Sequence, residues 1–121
     1  MILNLLGTEY TDTVSLGGGL TITGQSIGVA SETFGFSTGV DGIIGIGPLS
    51  LTEGSLTNEP TATIPTITMN LYSQGTISEM VVGISFEPTT SQKVTNGELT
   101  FGGTDSTKYT GKIAYVWVTF P

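Results

Sequence analysis

The chain has 121 residues, enough for one domain with a buried core. It contains no Cys and no His, so disulfides, thiolate metal sites and His-based nucleophilic catalysis are all excluded within it. Lys93, Lys108 and Lys112 stand against seven Glu and three Asp, a net charge of -7 that argues against nucleic acid and anionic membrane surfaces as partners.

Met1 to Leu6 is apolar, but it is too short for a signal h-region and lacks a basic flank, so no signal peptide is legible. No run approaches the length of a membrane span. Residues 9–16 alternate as a strand, with Tyr10, Val14 and Leu16 on one face and Asp12 interrupting it. Gly17-Gly18-Gly19 is a turn, after which 20–23 and 25–30 continue as strands. Residues 31–39 and 49–64 are rich in Thr, Ser, Gly and Glu and read as surface loops. The spacing predicts one helix near 65–74, with Pro65 in its first turn, Gly75 closing it, and Ile67 and Leu71 on one face. Residues 80–86 form a further strand. Asn96-Gly97 predicts a type I′ hairpin turn between flanking strands, because both residues tolerate positive φ. Asp105 caps a single helical turn to Tyr109, and 112–120 is the last strand. Tyr72, Tyr109 and Trp117 read as packing residues. With 22 Thr, 18 Gly and 11 Ser, the surface is hydroxyl-coated and holds its hydration when carboxylates protonate. Such a surface suits an acidic, extracellular setting.

GVDGIIGIGP, residues 39–48, admits three readings. A phosphate-cradling loop would open a helix and have a Lys nearby, whereas here Pro48 and a loop-like stretch follow. Asp41 could be a general base, although a lone carboxylate is more often a turn residue. A buried strand, with glycines where another backbone approaches closely, suits the composition best. Residues 42–46 are therefore a strand candidate.

Four stretches in fixed order carry a family resemblance: GTEYTDTVSLGG (7–18), VDGIIGIGP (40–48), IPTITMNLYSQGTI (64–77) and NGELTFGGTDSTKYTGKIAYV (96–116). The chain resembles the pepsin-like aspartic endopeptidases, most closely the secreted fungal type. The resemblance implies a mainly β fold, part of a pepsin-like lobe of the ψ-loop β-barrel type. Residues 1–6 form a non-matching segment and 7–121 a partial peptidase domain. Ile43-Ile44-Gly45 matches the strand that crosses under the family's catalytic loop. Phe34, Phe36, Val40 and Ile43 are the implied substrate-pocket residues; ordinary lobe core is the alternative for Phe34, where the two readings weigh equally, and for Phe36, and Ile43 is expected to be both core and pocket floor. No metal or other cofactor is implied.

The family uses two aspartates, each in Asp-Thr/Ser-Gly, which share a proton and activate a water. Here the three aspartates continue as Asp12-Thr13-Val14, Asp41-Gly42-Ile43 and Asp105-Ser106-Thr107. No catalytic residue is therefore assigned. The expectation is a segment of an aspartic endopeptidase, inactive alone, whose complete enzyme takes peptide or protein substrates outside the cell. The alternative is a non-catalytic β module that binds peptides, a homologue or itself through exposed strand edges. A third reading is a chain that does not fold stably, because Val81, Ile84 and Phe86 would lack part of their cover.

Overall fold

The computed structural model describes residues 4–35 and 39–118. Its described elements are β1 (Asn4–Ser15), β2 (Thr21–Phe34), a short 3-10 turn (Leu49–Thr52), α1 (Ile67–Ser73), β3 (Val82–Phe86) and β4 (Gly97–Phe101). They form two separate antiparallel pairs, β1-β2 and β3-β4. The architecture is mainly β with one short helix, as the sequence indicates.

β1 and β2 make a long hairpin, paired from Asn4↔Phe34 to Ser15↔Thr21. It is longer than alternation suggested at its open end. Residues 31–34, expected in a loop, belong to β2 because Asn4–Leu6 supply them with a ladder partner. The hairpin is closed through the three glycines, with Leu20 N–H donating to Gly17 O and Leu16 N–H donating to Leu20 O, both at 2.9 Å.

Two register shifts interrupt the ladder, and each places an extra residue on β2. At the first, Asp12 pairs with Gln25 and Val14 with Ile22, so Thr13 alone faces Thr23 and Gly24. This is a β-bulge, and Gly24 supplies the positive φ of 65° that it uses. The break between the two predicted strands 20–23 and 25–30 is this bulge. Its consequence is that Ile22 and Gln25, three apart, are both buried, at 0% and 5% exposure.

α1 starts later than predicted: extended Thr66 (φ -72°, ψ 165°) is its N-cap, which leaves Pro65 outside the first turn. The helix ends in a Schellman motif. Thr76 N–H donates to Leu71 O (2.9 Å), Gly75 N–H donates to Tyr72 O (3.0 Å), and Gly75 holds φ at 75°. Seven residues are too few for a helix to persist on its own intrahelical bonds. Packing holds it instead. Leu71, Ile22 and Ile77 are the buried apolar core, with Leu16, Leu20, Ile67 and Phe101 against them.

Amides complete the joint between helix and hairpin. Gln25 Nε2 donates to Ser26 O (3.0 Å) and Pro65 O (3.3 Å), and Asn70 Nδ2 donates to Gln25 Oε1 (2.9 Å). Thr23 N–H donates to Gln74 Oε1, and Gln74 Nε2 donates to Thr23 O, both at 3.0 Å.

Several expectations are corrected. Asn96-Gly97 is not a hairpin turn: neither residue has positive φ, and Gly97 instead opens β4 opposite Phe86. The register Val82↔Phe101 to Phe86↔Gly97 leaves 87–96 as the connecting loop, with the left-handed conformation at Lys93 (φ 59°). β3 begins at Val82 rather than at residue 80. Residues 42–46 and 112–118 form no strand, because among the described residues neither stretch has a ladder partner. The last residues of the predicted 112–120 strand lie outside the described residues. Trp117, expected to pack, is 98% exposed, and Tyr72 and Tyr109 are also exposed. Val81, Ile84 and Phe86 are exposed as expected.

Leu71→Ala is expected to lower the unfolding free energy by about 2–5 kcal/mol, the usual range for emptying a buried leucine site. Leu51→Ala, at an exposed position, should change it by less than about 0.5 kcal/mol. Denaturant unfolding followed by circular dichroism reads both.

Candidate functional site

The three aspartates sit on three separate parts of the fold. Asp12 lies on β1, where its Oδ1 accepts the Thr13 N–H at 2.7 Å. Asp41 lies in the stretch without regular secondary structure that precedes the 3-10 turn. Asp105 lies in the turn after β4, and its Oδ1 accepts from the Thr107 N–H (2.8 Å) and hydroxyl (2.7 Å). The expected helical turn at 105–109 is thus an Asp-capped turn closed by Lys108 N–H on Asp105 O at 3.1 Å. Among the described residues no group of three or more metal-ligating side chains comes together.

The turn carries the charged cluster of the fold. Lys108 Nζ lies 3.3 Å from Glu98 Oε2 on β4 and 3.9 Å from Glu87 Oε1 just beyond β3. Asp105 titrates below its ordinary 3.8, first because the Thr107 N–H donates to the carboxylate, then through the Thr107 hydroxyl, with Glu98 and Lys108 contributing less. Lys108 is pushed above 10.5, chiefly by its hydrogen bond to Glu98 and then by the Glu98 and Glu87 charges. Both groups are solvent-facing, so the cluster fastens the turn to the β3-β4 pair without forming a reactive centre.

A groove, rather than a nucleophile, is what the fold assembles. One cleft of about 610 Å³ runs along the hairpin and the 39–43 stretch. Val40 and Ile43 line it together with Leu5 of β1, Val29 and Thr33 of β2, and Asp41. The structure therefore brings together two of the sequence-expected pocket residues. Phe34, the last residue of β2, is 62% exposed and is not among the groove's lining. Phe36 lies outside the described residues. Ile43 itself is 63% exposed, a pocket wall rather than core.

A second cleft of about 800 Å³ lies between the same hairpin and residues 54–59. Ser26 Oγ donates to Glu9 Oε1 within it. The neck of this loop is tied by Thr52 Oγ1, which accepts the Ile64 N–H (2.8 Å) and donates to Leu49 O (2.7 Å). The two clefts share Leu5, Gly28, Val29 and Ala30. Sequence reasoning missed this hairpin wall. Alternation identified the strand 25–30, but the face it presents depends on the bulge.

A family profile described as eukaryotic aspartyl protease matches residues 3–120. The chain is 62% identical over 113 residues to polyporopepsin of Irpex lacteus, covering 93% of this chain and 33% of that protein. It is 36% identical over 115 residues to candidapepsin-3 of Candida albicans, covering 93% and 25%. Cathepsin D of Dictyostelium discoideum is 34% identical over 116 residues, covering 93% and 27%. The crystal structure of the aspartic proteinase from Irpex lacteus matches with a TM-score of 0.86 at 61% identity, over 91% of this chain and 32% of that one. The chain thus spans about a third of the length of polyporopepsin.

The charged cluster sets a pH signature. Asp105 has a lowered folded pKa, so its contribution to stability is present above 3.8 and lost as pH falls through the lowered value. The melting-temperature gap between the parent chain and Asp105→Ala should be widest near neutrality and narrow on strong acidification. Lys108 is raised, so its contribution is present below 10.5 and lost as pH rises past its folded value. The gap to Lys108→Met should accordingly narrow on the alkaline side.

Proposed function

The chain belongs to the eukaryotic aspartyl protease family of pepsin-like enzymes, and on that premise we propose that it serves peptide-bond hydrolysis as the wall of a substrate pocket. In this reading it is the part of the N-terminal lobe that follows the flap, together with the start of the inter-lobe region. The observation that carries the reading is the cleft in which Val40 and Ile43 stand against Leu5, Val29 and Thr33. Its mixed apolar floor and single carboxylate suit a peptide side chain held in an extended backbone. Phe34, the last residue of β2, and Phe36 are the further residues that the family resemblance assigns to this pocket. Ile43-Ile44-Gly45 is the stretch that would run beneath the catalytic loop, taking up strand pairing there.

Catalysis in this reading needs two carboxylates that share one proton and polarise a water. The chain has no Asp-Thr-Gly and no Asp-Ser-Gly. Taken alone, it is inactive. The site of action is extracellular and acidic, which the hydroxyl-rich, low-charge surface supports. A relative named secreted aspartic protease 3, from Candida albicans, supports the same placement.

A second reading rests on a different observation. Both sheets have two strands, so among the described residues each leaves open hydrogen-bonding edges, and the 113–118 stretch is exposed and apolar. As a non-catalytic β module the chain would bind an extended peptide, a homologue or a second copy by strand addition. Sedimentation of a concentration series, with and without a β-forming peptide, tests it: a monomer that takes no peptide at any concentration removes this reading.

The leading reading makes two predictions. Purified chain added to an acid-denatured protein at acid pH should release no peptides. Hydrolysis blocked by a transition-state analogue of the family would overturn this. In a complete two-lobed enzyme carrying these residues, Val40→Phe should narrow the pocket. It should lower kcat/KM for substrates with a bulky apolar side chain there by roughly 10- to 200-fold, and spare those with a small one.

A further inference from the structure

The bulge in β2 creates a problem that the helix solves. Because Thr13 alone faces Thr23 and Gly24, the ladder leaves a residue of β2 without a cross-strand neighbour. Both main-chain groups of Thr23 are nevertheless used. Its N–H donates to Gln74 Oε1 and its C=O accepts from Gln74 Nε2, each at 3.0 Å, while its hydroxyl lies 3.3 Å from the same Oε1. Exchanging an N–H and a C=O with one partner is what a hydrogen-bonded pair in an antiparallel ladder does.

We propose that Gln74 is a register pin: its side-chain amide stands in for the missing strand partner of Thr23, fixing the β2 bulge and thereby the face on which each side chain of residues 25–30 lies, up to the second register shift.

The pin is rigid on its own side. Gln74 is the C-cap of α1, held between the Schellman bonds of Gly75 and Thr76, and Leu71 one turn earlier is fully buried. A second amide contact brackets the bulge from its far end, where Asn70 donates to the buried Gln25.

Register needs such a device here. A slip of one residue turns every side chain of a strand to the opposite face, and only a strongly one-sided apolar pattern prevents it. Around the bulge the apolar pattern is weak: Thr21, Thr23 and Ser26 carry short hydroxyl side chains, and Gly24 and Gly28 carry none. Without the bulge, Gln25 would turn away from α1, and Val29 would leave the groove it lines. Gln74 is therefore a positioning residue for the hairpin wall. The assignment concerns register and stands whether or not the groove takes a peptide.

The chemistry also explains why the residue is an amide. An ionised carboxylate could accept from the Thr23 N–H but has nothing to donate to the Thr23 C=O. A carboxamide does both at every pH. A protonated carboxyl group does both as well, but only in acid.

The test uses the full chain with Gln74→Ala and Gln74→Glu, read by amide hydrogen exchange and by cross-strand nuclear Overhauser contacts. In Gln74→Ala the Thr23 amide should exchange roughly tenfold faster, the scale of one to two net hydrogen bonds. The Asp12–Gln25 contact should give way to a shifted register, while the amides of the last turn of α1 stay protected. Gln74→Glu should show the same register shift at neutral pH, because its carboxylate has no proton to donate to the Thr23 C=O. It should regain the parent pattern as pH falls through the ordinary carboxyl range, about pH 4. An unchanged Thr23 amide and a single unshifted register in Gln74→Ala would overturn the proposal. So would a Gln74→Glu defect that is equal in acid and at neutrality. Should Gln74→Ala fail to fold, the acid recovery of Gln74→Glu against the parent at the same pH decides the matter alone.

Discussion

The packing of Leu71 of α1 on Ile22 of β2 is the contact on which the rest of the structure rests. A helix of seven residues lacks the length to persist by itself, and an isolated two-stranded sheet is marginal in water. Here a hairpin, a short helix and the end of a second hairpin meet at one point, where Ile22, Leu71 and Ile77 are closed off from water by Leu16, Leu20, Ile67 and Phe101. Each element supplies what the others cannot. The bulge turns Gln25 toward the helix beside Ile22, and the Schellman motif turns the chain after α1 so that Ile77 comes back onto Leu71.

Around that apolar point the long-range side-chain contacts are largely neutral. Gln74 with Thr23, Gln25 with Asn70 and Pro65, and Thr52 with Ile64 join segments distant in sequence through amides and hydroxyls. None of these groups changes charge between acid and neutral pH. The ion pairs of Lys108 lie apart from this joint, at the outer end of β3-β4, where exposure limits what they contribute. A chain of net charge -7 thus keeps its carboxylates out of the contacts that hold its helix to its sheet. Acidification then loosens the turn at 105–108 before it reaches the core, which accords with the proposed acidic setting.

Much of this was legible in the residues. Gly75 marked the end of the helix because only a residue at ease in the left-handed region closes a Schellman motif, and the triple glycine marked the hairpin turn. The four family-like stretches marked the fold. The asparagine and glutamine of MNLYSQG were visible as a pattern, but their work was not, since it depends on a bulge created by the register of two other strands. Asn96-Gly97 misled for a related reason. The pair is a turn signal only if its flanks pair with each other, and here β4 pairs with β3 instead. Val40 and Ile43 were placed in the pocket by resemblance. Leu5, Val29 and Thr33, which line the same cleft, required the three-dimensional register.

The two strand readings that failed share a physical cause. Residues 42–46 carry branched residues and 112–118 branched and aromatic ones, as buried strands do, yet most of their apolar side chains face solvent and no described strand pairs with them. Composition records the environment in which a segment is buried, whereas secondary structure records the partner actually beside it. A β-branched run without a ladder satisfies neither its backbone groups nor its side chains. Two such runs on one small chain leave more apolar surface than scattered exposure accounts for. In the proposed lobe that surface is where the strands bearing the catalytic loop and the inter-lobe sheet would lie. The glycines of GVDGIIGIGP then have their use in how closely that neighbouring backbone can approach, rather than in any chemistry of Asp41.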